Sequence, residues 1–191
     1  MTRWSPDARR RLREAALDLY AATGYEATTV AAIAARAGLT ERTFFRHFSD
    51  KREVLFDGSD ELNQRIADAV AAAPPEISPL EAVVAGIAAV GAFFTRARRP
   101  DARRRRKIIG TNPALREREL IKLEALGDAL EAALRARSGR ELARLAAEAG
   151  VAMFRETFDR WVERDGDWQS IAKGVHRDLG DLTASPNRPS H

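Results

Sequence analysis

Residues 28–48 read TTVAAIAARAGLTERTFFRHF, and their spacing decides the fold. Val30, Ile33, Ala34 and Ala37 recur at helical intervals and give a first short helix one apolar face. Gly38 follows, suited to the left-handed conformation in which helices commonly end, and Leu39 returns toward the apolar face. Thr40 is a good N-cap for a second helix, because its hydroxyl can accept from an otherwise unpaired N–H of the first turn. Phe44 and Phe48, four apart, bury one side of that helix; Arg42, Phe45 and Arg46 point outward, with Thr40 and Glu41 at the tip. This layout predicts a helix-turn-helix, whose second helix offers its N-terminal residues to base edges in the major groove. The competing reading is an ordinary helical hairpin in an all-α core.

Upstream, Ser5-Pro6 predicts a helix start, with serine as cap and proline at the first helical position. Leu12, Ala15, Ala16, Leu19 and Tyr20 form its stripe, and Gly24 ends it. Arg9, Arg10, Arg11 and Arg13 load its early turns with positive charge that suits either a phosphate backbone or a solvated face. Downstream, Asp50 and Glu53 fit a reciprocal cap opening a fourth helix, with Val54, Leu55, Leu62, Ile66 and Val70, that runs to Ala73. Lys51 then sits beside exposed backbone N–H groups, a ready place for a DNA phosphate.

Pro74-Pro75 is the clearest punctuation in the chain. Ser78-Pro79-Leu80-Glu81 restarts a helix lined by Leu80, Val83, Val84, Ile87, Val90 and Phe94, in which Gly86 and Gly91 permit close approach of a neighbour or ligand. Pro100-Asp101 opens an arginine-laden helix ending at Gly110; Asn112-Pro113 caps a long leucine-rich one that Ser138-Gly139 stops. A further helix from Arg140 to about Arg164 precedes the turn Asp165-Gly166-Asp167 and a last helix carrying Trp168, Ile171, Val175, Leu179 and Leu182. With no internal repeat and no strand-like alternation, the chain is expected to be all-α. The expected division is a DNA-binding domain over 1–50, a helical effector-binding and dimerisation domain over 51–183, and a disordered tail over 184–191.

Composition excludes several chemistries. The 191 residues, 45% hydrophobic, suffice for a packed core, and the absence of cysteine removes disulfides, thiolate metal sites and cysteine nucleophiles. His47, His176 and His191 are not at metal-ligand spacing, so neither a metal nor a cofactor is expected. The charged N-terminus and the lack of any apolar run of roughly 18 residues predict a cytoplasmic protein without a membrane span. A net charge of +4 and a pI near 9.9 are compatible with nucleic acid. No Gly-rich phosphate loop, acid-x-x-His pair or nucleophile elbow points to an enzyme. An architectural DNA-binding protein without an effector is the other competitor, opposed by the large body of Leu, Val and Phe helices.

From Leu12 to Phe56, with Gly24, Thr29, Ile33, Ala34, Gly38, Thr43, Phe48 and Lys51 at motif positions, the chain resembles the TetR family of bacterial transcriptional regulators. The resemblance implies a three-helix DNA-binding head and a helical ligand-binding and dimerisation body. It also implies a homodimer on a palindromic operator, usually a repressor that an effector releases. The run from Arg103 to Arg106, the segment from Asn112-Pro113 through Leu115, Arg116, Arg118 and Glu119 to Leu120, and later Phe154-Arg155 and Trp161 are similar to the branch with an acyl-CoA-like ligand-binding domain, implying an amphipathic, anionic effector. Two positions depart from the family pattern: Phe45 stands where tyrosine is frequent, and Ala32 where an acid often completes a capping box.

On this reading Thr28, Thr43 and Lys51 hold phosphates, while Thr40, Arg42 and Arg46 enter the groove beside Glu41, with Arg42 the expected reader of guanine. Thr29 joins the interface as an alternative cap to Thr28, Phe45 offers apolar contact with a thymine methyl or sugar, and His47 suits either packing or a phosphate. Val83, Ile87, Val90, Phe94, Ile108, Leu123, Leu126, Leu130, Met153, Phe154 and Thr157 are expected to line an effector pocket. Arg103 to Lys107 either hold an anionic head group at its mouth or form a solvated run. Phe154, Phe158, Trp161, Trp168, Ile171 and Val175 supply apolar faces for a four-helix dimer seam, with closure of the monomer core as the alternative for Trp161.

Overall fold

The structure, a computed structural model, describes residues 6–183. The expected Ser5 cap and the tail 184–191 lie outside the described residues. Among the described residues the regular elements are all helical, as expected. They are α1 (Pro6–Thr23), α2 (Val30–Arg36), α3 (Glu41–His47), a 3-10 turn (Glu53–Phe56), α4 (Ser59–Ala71), α5 (Pro79–Ala89) continued by a 3-10 turn (Val90–Phe93), a further 3-10 turn (Arg96–Arg98), α6 (Arg99–Gly110), α7 (Pro113–Glu163) and α8 (Trp168–Thr183). At Gly139 the backbone of α7 takes φ 71° and ψ 168°, so the expected stop is a kink where two helices meet without a loop. No single helix among the described residues is long and apolar enough to cross a membrane.

The chain divides into two compact units. The first joins the described part of Met1–Asp60 to Pro100–Lys122, and the second joins Glu61–Arg99 to the described part of Leu123–His191. The line between units therefore differs from a cut at residue 50. Val54, Leu55, Phe56, Ile108, Ile109 and Leu115 share one core with Leu12, Tyr20, Ile33, Phe44 and Phe48, which draws α6 to the head.

The expected continuous helix from Asp50 to Ala73 is not formed. Asp50 accepts from the N–H groups of Arg52 and Glu53 at 2.7 and 3.1 Å, but the Glu53 carboxylate is taken by Arg118 at 2.6 Å and Lys122 at 3.7 Å instead of returning to cap. Three consecutive side chains, Val54, Leu55 and Phe56, are all buried, which the tight 3-10 turn allows and one face of an α-helix does not. Gly58, at φ 83°, then breaks the chain before α4.

In the second unit, α5 begins as expected with Pro79 at its first position and the reciprocal Ser78/Glu81 capping box complete. Gly86 is the close approach the sequence suggests: a Cβ there would stand 2.6 Å from Val70 Cγ2 and 2.8 Å from the Ile66 carbonyl oxygen. The helix stops at Ala89 and does not reach Phe94 as expected. Phe94 instead lies beyond the 3-10 turn, stacked on Trp168 with centroids 3.6 Å apart. Ile66, Val83, Ile87, Leu126, Leu130, Leu134, Trp161 and Trp168 are the fully buried centre of this unit. Arg137 holds the Pro74-Pro75 break by donating to the carbonyls of Ala73 and Pro74, both at 2.6 Å.

Candidate nucleic-acid interface

The turn between α2 and α3 is built by backbone chemistry. Gly38, at φ 64°, lets its own N–H reach Ala35 O and that of Leu39 reach Ala34 O, both at 2.9 Å, closing the end of α2. Arg11 donates to the Ala37 carbonyl, and a Cβ on Gly38 would stand 2.7 Å from the same guanidinium. Thr29 caps α2 through Ala32 N–H at 3.1 Å, and Thr40 caps α3 through Thr43 N–H at 3.2 Å, with the Thr40 and Thr43 hydroxyls 3.0 Å apart.

Burial orients α3. Phe44 is 0% exposed and Phe48 4%, whereas Phe45, next in sequence, is 55% exposed. Glu41, Arg42, Phe45 and Arg46 therefore share the outer face, and Thr40 at the tip is exposed with them. Neither Arg42 nor Arg46 makes a side-chain hydrogen bond or ion pair among the described residues, so both guanidinium forks are available to an acceptor. Thr29 is exposed; Thr43 and His47 are half-buried. Burial, then the positive charges of Arg46 and Arg9, push the His47 pKa below its ordinary value.

Two residues expected to hold phosphates are already bonded within the first unit. Thr28 is buried, its hydroxyl donating to Gly24 O at 2.7 Å and lying 3.1 Å from that of Thr23. Lys51 sends its ammonium to the carbonyls of Tyr25, Glu26 and Thr28 at 2.9, 3.2 and 2.9 Å, over the face of the Tyr25 ring. Its three N–H donors are all spent on the loop before α2. Tyr20 completes this tie by donating its hydroxyl to Lys51 O at 2.6 Å. Lys51→Ala should accordingly lower head stability by roughly 2 kcal/mol, since charged hydrogen bonds in a half-buried site are lost. Urea unfolding should show that loss, while the salt dependence of DNA binding stays as in the parent; a reduced salt slope with unchanged stability would restore the phosphate role.

Arg9 and Arg10 of α1 and Arg104 and Arg105 of α6 are likewise tied within the first unit. Arg9 pairs with Asp57, with Nε 2.8 Å from Oδ1, and Arg10 with Asp7 and Glu14. Arg104 pairs with Asp18 at 2.7 Å, holding that carboxylate below its usual pKa. Arg105 donates to Leu55 O, lies 3.6 Å from Glu119 and covers Phe56. The run Arg103 to Lys107 thus fixes α6 in the head through Arg104 and Arg105, and is neither a plain solvated run nor a ligand mouth at those two residues. Ile108, expected in an effector pocket, is part of the head core.

The remaining expected pocket residues lie in the second unit. Val83, Ile87, Val90, Leu126, Leu130, Met153 and Thr157 are buried among packed helices, and Phe94, Leu123 and Phe154 are half-buried. The Thr157 hydroxyl donates to Met153 O at 2.7 Å and is not offered as a polar anchor. Of the expected dimer seam, Trp161, Trp168 and Val175 are inside the monomer, with Trp168 Nε1 donating to Ile87 O at 2.6 Å. This correction follows from Phe94, which leaves its helix and fills the space among Phe154, Phe158, Trp161 and Trp168. Phe158 and Ile171 are half-buried. An open cleft of about 650 Å³ does exist, lined by Gly91, Phe94, Thr95, Arg96, Arg99 and the segment Asp165 to Gln169. Sequence reasoning had only Phe94 and Trp168 of these as site residues; the signals passed over were the arginines at 96 and 99 and the acidic turn at 165–167.

A capped, phenylalanine-braced α3 with an outward arginine pair defines a helix-turn-helix protein. The chain belongs to the TetR family of bacterial regulatory proteins: residues 12–57 match the model of that name, and residues 77–185 match the MftR C-terminal domain. Over 79 residues it is 39% identical to the HTH-type transcriptional regulator TcmR of Streptomyces glaucescens, a match covering 41% of this chain and 34% of that protein. The chain thus aligns with about a third of that curated relative's length. Among solved structures, FadR of Bacillus subtilis in complex with stearoyl-CoA superposes with TM-score 0.59 at 20% identity, covering 89% of this chain and 96% of that one. The repressor FadR of Thermus thermophilus, in complex with lauroyl-CoA, does so with TM-score 0.51 at 21% identity, covering 96% and 98%. Both likenesses show the shared fold.

Proposed function

We propose that this regulator is a homodimeric repressor that leaves a palindromic operator when a hydrophobic or amphipathic effector, acyl-CoA-like in its chemistry, enters the helical body. The observation that carries the operator part is the outer face of α3, where Arg42 and Arg46 stand exposed on a helix whose opposite face is locked by Phe44 and Phe48. Arg42, two residues past the Thr40 cap, is the bidentate guanine reader, Arg46 lies one turn further along, and Thr40, Glu41, Thr43 and Phe45 complete the contact with Thr29 at the edge. Such a head covers only a half-site, so two heads are set about one DNA turn, ~34 Å, apart.

The effector part draws on the two fold relatives, which carry fatty acyl-CoA. An acyl chain would enter among Val83 and Ile87 of α5 and Leu126, Leu130 and Met153 of α7, all of them buried. The dimer surface moves outward from the aromatic cluster to Leu142 and Leu145 on α7 and Leu182 on α8, residues that are 58%, 68% and 83% exposed. Phe158 and Ile171, half-buried, remain available at its margin.

Selecting genomic fragments with the purified protein would yield the operator. On it Arg42→Ala should cost about 1–3 kcal/mol and relax the choice at one base position in each half-site, with little change on random DNA. Equal loss on both DNAs would end the reading role. Titrating acyl-CoAs of graded length against the operator complex tests the release.

A further inference from the structure

The cleft beside the Phe94–Trp168 stack has features of a built site that the regulator reading does not use. Arg99 lies at its wall with only 6% of the residue exposed. The guanidinium donates to Asp165 Oδ1 at 2.8 Å and Gly166 O at 2.6 Å, and it stands over the Trp161 ring. Those bonds use two of its five N–H donors, and the Nε–H is buried with no partner among the described residues. A cation so far from water ordinarily has its donors satisfied and its charge matched. Here the matching carboxylate, Asp165, has 90% of its side chain exposed on the turn before α8, where solvent weakens its attraction.

A second cation faces the same space. Arg96 lines the cleft and is exposed, and its guanidinium makes no hydrogen bond or ion pair among the described residues. The floor is aromatic: half-buried Phe94 and the Trp168 on which it is stacked, at 3.6 Å and 9°, both line the cleft. Asp167 is also on the rim, its carboxylate accepting from Ser170 N–H at 2.9 Å as the cap of α8.

We propose that this cleft binds a small, flat monoanion, an aromatic carboxylate, whose ring lies against the cleft-lining edge of the Phe94–Trp168 pair and whose carboxylate is held by Arg96 and Arg99. Two arginines supply forked donors for one carboxylate. The carboxylates of Asp165 and Asp167 repel a second negative charge, which separates this ligand from a phosphate ester or a polyanionic nucleotide. The volume, about 650 Å³, exceeds that of a bicyclic acid and excludes nothing of that size. The ligand carboxylate would take over from Asp165 as the partner of Arg99, loosening the turn between α7 and α8.

The site reports on itself, because Trp161 and Trp168 lie against Phe94 and Arg99. Naphthoate titrated into the full chain without DNA should quench tryptophan fluorescence saturably, and naphthylmethanol, the same ring without charge, should bind about tenfold more weakly or less, the loss of one charge-assisted contact. Arg96→Gln, at an exposed position, should weaken naphthoate by a similar factor and leave naphthylmethanol unchanged. Asp165→Asn, which removes the competitor for Arg99, should tighten naphthoate. Absence of saturable quenching, equal binding of the two probes, or an Arg96→Gln variant that binds naphthoate as the parent does would each overturn the proposal. Since no DNA is present, failure of the operator reading leaves this result intact, and the reverse holds as well.

Discussion

Phe44→Ala is expected to cost the first unit about 3–5 kcal/mol, the range for truncating a fully buried phenylalanine, and with it all specific DNA binding. The ring is 0% exposed, lies 5.6 Å from Phe48 and is part of the core that contains Leu12, Ile33, Val54 and Ile108. A seven-residue helix such as α3 has no stability of its own in water, so its position depends on that anchor. Removing the ring leaves α3 held only at its ends, by the Thr40 cap and by Phe48, and Arg42 and Arg46 lose their common direction. Phe45→Ala, one residue on and outward-facing, should leave stability within about 0.5 kcal/mol of the parent and touch only DNA affinity. Urea unfolding followed by circular dichroism, beside operator titrations, separates the two. A Phe44→Ala protein as stable as Phe45→Ala would show that α3 is held in some other way.

Trp168→Ala should be the most damaging change in the second unit, again about 3–5 kcal/mol, because it removes a buried indole and strands the Ile87 carbonyl that Nε1 serves. Phe94 loses its stacking partner, and the edge contacts of Phe154 and Trp161 with the indole go too. Trp168→Phe keeps most of the ring but not the N–H donor, so its smaller loss, about 1–3 kcal/mol, isolates the unsatisfied carbonyl. If Trp168 were a dimer-seam residue, Trp168→Ala would lower the association constant and spare the monomer. Unfolding at several protein concentrations, with sedimentation to measure association, decides between these outcomes. The expected result is a monomer-level loss that concentration does not rescue.

Where the sequence was legible, one local rule sufficed. The Thr40 cap, the Gly38 turn, the Phe44/Phe48 spacing and the Ser78/Glu81 box are each set within a few residues, and each has the expected geometry. Asp50 and Glu53 satisfied the same kind of rule, yet the box did not close, because Arg118, far along the chain, offered Glu53 a better partner. Phe94 fits a helical stripe as well as Val90 does, but the helix ends before it, with Trp168 as its stacking partner.

The chain by itself settled that the protein is helical, that a helix-turn-helix stands near its start, and that Arg42 and Arg46 face away from the phenylalanines, since helical periodicity alone imposes these. Tertiary structure decided which polar groups remain for a partner. Lys51 and Thr28 look outward in sequence and are consumed by backbone carbonyls, while Arg99, one arginine among many, becomes a buried cation at a cleft. A side chain's chemical type is written in the sequence, but whether its hydrogen bonds are already spent depends on carbonyls and carboxylates brought to it from tens of residues away, and only the folded chain brings them.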